Sequence, residues 1–115
     1  RCSMHAEDVA RIRHMVDAAE TVGQFMFGRK RADLDSDRML LFAVVRAIEV
    51  VGEAAGKVSE ETRATSQDIP WGAIVSMRNR LIHGYFDIDT EIVWKTVSKE
   101  LPDLLPRLQR LAGKP

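Results

Sequence analysis

Residues 38–58 decide the fold, and they read RMLLFAVVRAIEVVGEAAGKV. Apolar side chains recur there in alternating steps of three and four residues, at Leu41, Val44, Ile48, Val51, Ala55 and Val58. This spacing is typical of the buried face of an α-helix that packs against other helices. We therefore predict a long second helix over this stretch, forming the spine of a helical bundle.

Two further features lie on this second helix. Gly52 and Gly56 are four residues apart and remove side chains from one stripe, which would let another helix approach closely. Arg46, Glu49 and Glu53 share one face and can form a ladder of charges. This ladder has two interpretations: a solvated set of ion pairs, or a device in which one glutamate orients an arginine elsewhere in the fold.

The N-terminal part of the chain predicts one more helix and a connector. Apolar residues at helical spacing place helix one from Glu7 to about Met26. Gly28 and the charged residues after it break that rhythm, so we expect a connector that ends at Asp37, the N-cap of the second helix. The basic residues 29–31 within it are interpreted as a solvated loop rather than a nucleic-acid contact.

Helix three is predicted from Pro70 to His83. Proline supplies a backbone angle suited to a first helical turn, and Gly84 is placed to end the helix. Its apolar stripe consists of Trp71, Ile74, Met77 and Leu81. The polar residues 59–68 before it predict a loop with room for one helical turn.

A fourth helix is predicted after Asp87 or Asp89, either of which can serve as its cap. Because proline has no N–H and its ring clashes with the preceding turn, Pro102 requires this helix to kink or restart near Leu101. No stretch of the chain shows the period-two alternation of a strand. The prediction is an all-α fold, an up-and-down bundle of four to five helices.

Length and composition limit the class of protein. The 115 residues suit one folding unit. Residues 1–3 precede Met4 and are expected to be a cloning remnant or disordered N-terminus, which leaves residues 4–115 as a single domain. Seventeen basic and seventeen acidic residues give no net charge, so any nucleic-acid contact must come from a local cluster. The single cysteine and the lack of a long apolar run favour a cytoplasmic protein that does not enter a membrane.

The segment richest in reactive groups reads MRNRLIHGYF over residues 77–86. On a straight helix, Val75 and Ile82 form a second apolar stripe that polar side chains border. Arg78 borders one side of the stripe, and Asn79 and His83 border the other. An exposed stripe of this kind indicates a contact between subunits, so Val75 and Ile82 are candidates for a dimer interface.

Arg78 and His83 lie about 140° apart and about 7.5 Å along a straight helix, so they do not meet within one chain. A two-fold dimer across the apolar stripe would bring the arginine of one chain to the histidine of the other. Imidazole moves protons near neutral pH and guanidinium stabilises charge on a phosphate, which together suit RNA cleavage without metal. Taken by itself the spacing is common, and a capping histidine with a solvent-reaching arginine is the alternative.

Tyr85 and the three histidines are the remaining candidates for modification or metal binding. On the residues alone, Tyr85 is more simply a core aromatic than a modified residue. The histidines His5, His14 and His83 are dispersed, so no metal site and no cofactor are expected.

At this point the sequence resembles a known family, the small HEPN-domain proteins, and in particular the HepT-like toxins of bacterial and archaeal toxin–antitoxin pairs. The family's Arg-x4-His-x-Tyr signature matches residues 78–85, which read RNRLIHGY. Residues 47–55, the Ile-Pro-Trp run at residues 69–71 and the Ile-Val-Trp run at residues 92–94 also match family patterns. The resemblance thus spans most of the chain.

The resemblance implies a HEPN-like helical domain that forms a homodimer and cleaves RNA without metal. It implies that Arg78 binds the scissile phosphate, that His83 is the general acid/base and that Asn79 positions one of them. Tyr85 matches a tyrosine that a cognate minimal nucleotidyltransferase antitoxin modifies with AMP, and Glu49 or Glu53 would support Arg78. The other hypothesis is a noncatalytic HEPN module that binds a nucleotide or a nucleotidyltransferase partner, which the zero net charge favours slightly.

Overall fold

A computed structural model describes residues 4–82 and 87–113 of the chain. In these ranges the elements are α1 (Ala6–Met26), α2 (Arg31–Ser36), α3 (Arg38–Gly56), α4 (Glu60–Ala64), α5 (Trp71–Val75), α6 (Met77–Leu81), α7 (Thr90–Lys95), a π-helical turn (Thr96–Glu100) and α8 (Leu101–Leu111). These two ranges contain no β-strand, which confirms the all-α class. No helix found in them combines the length and the apolarity that crossing a bilayer requires.

The core of the molecule forms around α3, as its apolar seam predicts. All six seam residues are buried, and so are the side chains of α1 that face them, at Ile12, Met15, Val16, Ala19 and Val22. The start of α1 contacts the residues that follow α3, because Asp8 bonds to Ser59 and Thr62. The two long helices are therefore antiparallel, and burial of their facing stripes is the main source of stability.

Asp8 fastens the start of α1 to the start of α4. Its carboxylate is buried and accepts hydrogen bonds from the backbone N–H and hydroxyl of Ser59 and from the hydroxyl of Thr62, at 3.0, 2.6 and 2.6 Å. Burial by itself raises the pKa of this carboxyl, but the three hydrogen bonds outweigh it and hold the pKa below its ordinary value. The charged form is thus the stable one in the folded protein.

The two predicted connectors both contain short helices, which raises the helix number above the expected four to five. In the first connector, α2 exposes three of its six residues and buries Leu34 against the core. A six-residue helix with one apolar anchor gives no periodic signal, so the sequence predicted a loop. In the second connector, residues 59–68, the predicted room for one helical turn is filled by α4, which Ser59 caps. Arg63 of α4 donates to the carbonyls of Ala55 and Val58 at the end of α3.

The predicted helix three is wrong in two respects: it is broken at Ser76, and it ends at Leu81 rather than His83. The Ser76 hydroxyl bonds back to the carbonyls of Gly72 and Ala73 at 3.0 and 3.3 Å, a competition that bends helices. At the other end, the carbonyl of Leu81 accepts from the N–H of Asp89 at 2.7 Å, and Ile82 is extended. The stripe itself is confirmed, since Trp71, Ile74, Met77 and Leu81 are all buried.

Gly52 confirms the predicted close approach of a second helix, whereas Gly56 does not. A Cβ at Gly52 would lie 3.1 Å from the carbonyl oxygen of Ile74, so α5 crosses α3 nearly in backbone contact. A Cβ at Gly56 would meet nothing within 4 Å. The crossing at Gly52 sets where α5 and α6 lie along the spine.

The C-terminal helix changes its winding where the proline predicts a disturbance. Asp89 caps α7, and the Leu101 N–H then bonds to the Thr96 carbonyl, five residues back, so the turn before Pro102 is π-helical. A widened turn accommodates a residue without an N–H while the backbone stays helical. The kink or restart predicted near Leu101 is confirmed, and its form is this turn.

Candidate active site on α6 and α3

Arg78 is held against the spine by a carboxylate of α3. Its Nε donates to Oε2 of Glu49 at 2.9 Å, and the Arg78 side chain is 56% exposed while that of Glu49 is 17% exposed. Within residues 4–82 and 87–113, no acceptor bonds the two terminal nitrogens of Arg78. The guanidinium is thus fixed at one edge and presents its other edge to solvent, the geometry in which an arginine can grip a phosphate.

Glu49 and Glu53 have different partners, although the sequence put them on one face. Glu49 also contacts the Nη1 of Arg46 at 3.4 Å, whereas Arg46, at 3.3 Å, is the one polar partner of Glu53 among residues 4–82 and 87–113. The solvated ladder therefore exists, and one rung of it reaches across to α6. The structure brings Glu49, and not Glu53, to Arg78.

The other arginine of α6 faces the opposite way. Arg80 lies two residues after Arg78, about 160° away around the helix. Its Nη2 is 3.4 Å from the Ala73 carbonyl and 3.7 Å from Glu100, on the side of α8. Only Arg78 of this pair shares a surface with Glu49.

The contacts of the remaining signature residues are defined less completely. Asn79 is exposed, and its side chain makes no hydrogen bond to the part of the chain that the structure describes. His83 and Tyr85 lie outside the described residues. Because α6 ends at Leu81, the straight-helix angle and rise from Arg78 to His83 do not apply.

The predicted Val75 and Ile82 stripe is not one helical face. Val75 is 41% exposed on α5, but Ile82 is extended, partly buried and packed against the core, with an antiparallel bridge to Ile88. Two exposed apolar side chains of α3 were not predicted, namely Met39 and Phe42, which are 84% and 51% exposed. Met39 and Phe42 are three residues apart, and Arg46 and Glu49 continue the same helical spacing. This pattern is the signal that could have predicted them on the face of Glu49.

Metal ligands do not cluster in this part of the molecule. Among residues 4–82 and 87–113, no three His, Cys, Asp or Glu side chains are grouped so as to hold an ion. What the geometry offers is one oriented guanidinium on a surface that also carries exposed apolar groups.

Comparison with known proteins identifies the family. The family described as "Ribonuclease HepT-like" matches residues 15–111. A protein of Thermococcus cleftensis, named a probable ribonuclease HepT, is 33% identical over 107 residues, 93% of this chain and 92% of that protein. A protein of Caldanaerobacter subterraneus subsp. tengcongensis, provisionally named an RNase, is 32% identical over 103 residues, 90% of this chain and 92% of its own length.

A third relative, from Methanocaldococcus jannaschii and also provisionally named an RNase, is 32% identical over 90 residues, 78% of this chain and 83% of that protein. No solved structure matches the chain significantly. The family match covers most of the chain, including α3, Glu49 and Arg78. With its helical fold and its signature at residues 78–85, the chain belongs to the HepT-like ribonuclease family.

Proposed function

We propose that this protein is a metal-independent endoribonuclease and the toxin of a toxin–antitoxin pair, with Arg78 and His83 as its catalytic residues. The observation that carries the proposal is the Arg78 guanidinium, which Glu49 holds at 2.9 Å in a chain of the HepT-like ribonuclease family. Its two terminal nitrogens have no acceptor among the described residues. They are therefore available to bind the scissile phosphate.

The reaction needs two roles besides binding. His83 acts as the base that removes the proton of the RNA 2′-hydroxyl, and the resulting oxyanion attacks the adjacent phosphorus. Arg78 stabilises the negative charge that builds on the phosphate oxygens. The bond to the 5′-oxygen breaks, a protonated imidazole supplies its proton, and the products are a 2′,3′-cyclic phosphate and a 5′-hydroxyl. Asn79 is proposed to position one of the two catalytic side chains.

The active form is proposed to be a homodimer in which Arg78 of one chain and His83 of the other act on one phosphate. Support comes from exposed apolar groups close to Arg78 in the chain and on the face of α3 that carries Glu49. Val75 contributes from α5, and Met39 and Phe42 contribute from α3. Exposed apolar groups beside a polar site are typical of surfaces that subunits cover.

Regulation is proposed to act through Tyr85. A cognate minimal nucleotidyltransferase antitoxin would join the tyrosine oxygen to the α-phosphorus of ATP, leaving Tyr85-AMP and pyrophosphate. The added bulky anion, two residues from His83, would repel RNA by charge and block it by size. Intact mass after co-expression with such an enzyme tests this: a gain of AMP mapped to Tyr85 is expected. A transferase with proven activity that leaves Tyr85 unmodified would contradict it.

Incubation of the purified protein with RNA in excess EDTA tests the activity. Cleavage is expected to persist in EDTA and to disappear in Arg78→Ala and His83→Ala. Arg110→Ala is the matched control for Arg78→Ala, because Arg110 is an exposed arginine on α8 that serves no proposed role.

Two results would contradict this function. Cleavage that EDTA abolishes would overturn metal independence. No cleavage by unmodified, folded protein that still binds a nucleotide or a nucleotidyltransferase would favour the noncatalytic module instead.

A further inference from the structure

A second patch with RNA-binding chemistry lies on α7 and the π-helical turn. Trp94, Lys95, Ser98 and Lys99 line a surface hollow of about 430 Å³ together with Glu91 and Ile92. The two lysines and Ser98 are exposed, while Trp94 is partly buried against the core and keeps one side on the hollow. We name these four residues, Trp94, Lys95, Ser98 and Lys99, the α7 patch.

The α7 patch carries a positive charge that its surroundings leave largely uncompensated. Glu91 is the acidic residue of the hollow, and it forms an ion pair with Arg31 of α2. Neither Lys95 nor Lys99 has an ion pair with any acid in the part of the chain that the structure describes. In a protein with no net charge, a local cluster of this kind is what nucleic-acid binding requires.

Trp94 supplies the second element of a single-strand site. Bases stack on aromatic side chains whatever their sequence, at about 1–3 kcal/mol per base, while cations beside the ring follow the backbone. Trp71, the other tryptophan, is buried and donates its indole N–H to the Ser66 carbonyl at 3.1 Å, so no base can reach it. Trp94 is thus the indole of this protein that a base can stack on.

The α7 patch also continues from the proposed active site along the chain. The N–H of Asp89, the cap of α7, bonds to the carbonyl of Leu81 at the end of α6. The helix that carries Trp94 and Lys95 therefore starts at the end of the helix that carries Arg78. The α7 patch therefore lies on an element that begins beside the last residue of α6.

We propose that the α7 patch is a binding site for single-stranded RNA outside the cleavage centre, in which Trp94 stacks a base and Lys95 and Lys99 bind phosphates. This inference rests on the proposed ribonuclease function and adds the class of substrate to it. The protein prefers unpaired RNA long enough to reach from Arg78 to the α7 patch.

Tryptophan fluorescence during titration with oligouridylate of twelve nucleotides tests the site, using His83→Ala protein so that the RNA stays intact. Quenching is expected, and Trp94→Leu is expected to abolish it because only buried Trp71 remains. Lys95→Gln with Lys99→Gln is expected to weaken binding about tenfold and to reduce the salt slope by about 1.4, since each contact to a single strand contributes about 0.7. Lys57→Gln with Arg110→Gln is the matched control, because it removes two exposed positive charges elsewhere.

The cleavage assay separates failure of this site from failure of the proposed function. Protein with the two Lys→Gln changes is expected to cleave a dinucleotide at the normal kcat and to lose about tenfold in kcat/KM on the twelve-nucleotide RNA. Equal effects of the α7 pair and the control pair on binding would overturn the site and leave the ribonuclease intact. Quenching that depends on Trp94, together with no RNA cleavage by the folded protein that retains His83, would support the site and overturn the ribonuclease. Because both lysines are exposed, these outcomes do not depend on a variant that fails to fold.

Discussion

Glu49 accepts hydrogen bonds from two arginines, Arg46 on its own helix and Arg78 on α6. Its side chain is the least exposed of the three, at 17%. A partly shielded carboxylate orients a guanidinium more firmly than a fully solvated one, because fewer waters compete for its oxygens. We therefore propose that Glu49 positions Arg78 and makes no contact with the substrate.

Glu49→Gln should lower kcat about tenfold, with KM and thermal stability nearly unchanged, because the neutral amide holds Arg78 less firmly. A tenfold loss corresponds to about 1.4 kcal/mol, at the low end for a charge-assisted hydrogen bond because Arg78 is half exposed. Steady-state kinetics on RNA measure it, with Glu53→Gln as the control expected to stay within twofold. Equal losses in both variants would place the effect in the charge ladder and not in Arg78.

Asp8 allows a prediction about pH. The pKa of Asp8 is lower in the folded protein than in the unfolded chain, where it is about 3.9. The stability that the charged carboxylate contributes is therefore fully present above that value and is lost as the pH falls through the folded pKa. Asp8→Asn should cost about 1–3 kcal/mol at pH 7 and less in acid, where the wild-type protein loses the stability that depends on the charged carboxylate. Urea unfolding at pH 7 and pH 3 measures this difference.

Asp17→Asn, on the exposed face of the same helix, is the control for Asp8. It should leave the free energy of unfolding unchanged within about 0.5 kcal/mol at both pH values. If it lost as much as Asp8→Asn, the effect would come from the charge of α1 and not from the hydrogen bonds to Ser59 and Thr62.

The α5–α6 segment is positioned on α3 by two contacts. Gly52 lies under the Ile74 carbonyl, and Glu49, three residues earlier, bonds to Arg78. The segment therefore runs antiparallel to α3, and its register depends on both contacts. The break at Ser76 lies between the two points, so it sets the direction in which α6 leaves α5.

Gly52→Ala and Gly56→Ala form a matched pair for this contact. Both replace a helical glycine of α3, and alanine gains up to about 1 kcal/mol in helix propensity. Gly56→Ala meets open space and should raise the melting temperature. Gly52→Ala should lower it, because its methyl group would press on a backbone carbonyl at 3.1 Å that cannot move without α5. Similar melting temperatures for the two variants would show that α5 can shift away from the added methyl group without a loss of stability.

The long elements follow from the sequence because burial imposes a period on it. The seam of α3 and the stripe of α1 were found in this way. The cap at Asp37 was predicted from its residue type, and Asp89 is the one of the two predicted caps, Asp87 and Asp89, that the structure uses. The break at Ser76 was not predicted, because a serine hydroxyl that bonds its own helix leaves the apolar spacing unchanged. Nor could the sequence predict that Glu49, and not Glu53, bonds to Arg78. That choice depends on where α5 crosses Gly52, which is a contact between distant parts of the chain.

For the assembled protein, we propose that the active site forms only when two chains pair. A mixture of inactive Arg78→Ala and inactive His83→Ala chains tests this. Random pairing makes about half of the dimers mixed, and each mixed dimer has one intact pair and one doubly altered pair, so about a quarter of wild-type activity should return. Cleavage of RNA by the equimolar mixture measures it. No recovery after proven subunit exchange would mean that both groups act within one chain.

The π-helical turn has a consequence for the length of the chain. Val93, Val97 and Leu101 are all buried although they are spaced by four and four, a rhythm that drifts by about 80° on an ordinary α-helix. The widened turn absorbs that drift. Deleting one residue between 96 and 100 would remove the widened turn and restore regular winding, so Leu104 and Leu108 should keep facing the interior. The C-terminal helix can therefore lose one residue at this turn and still present the same buried side to the core.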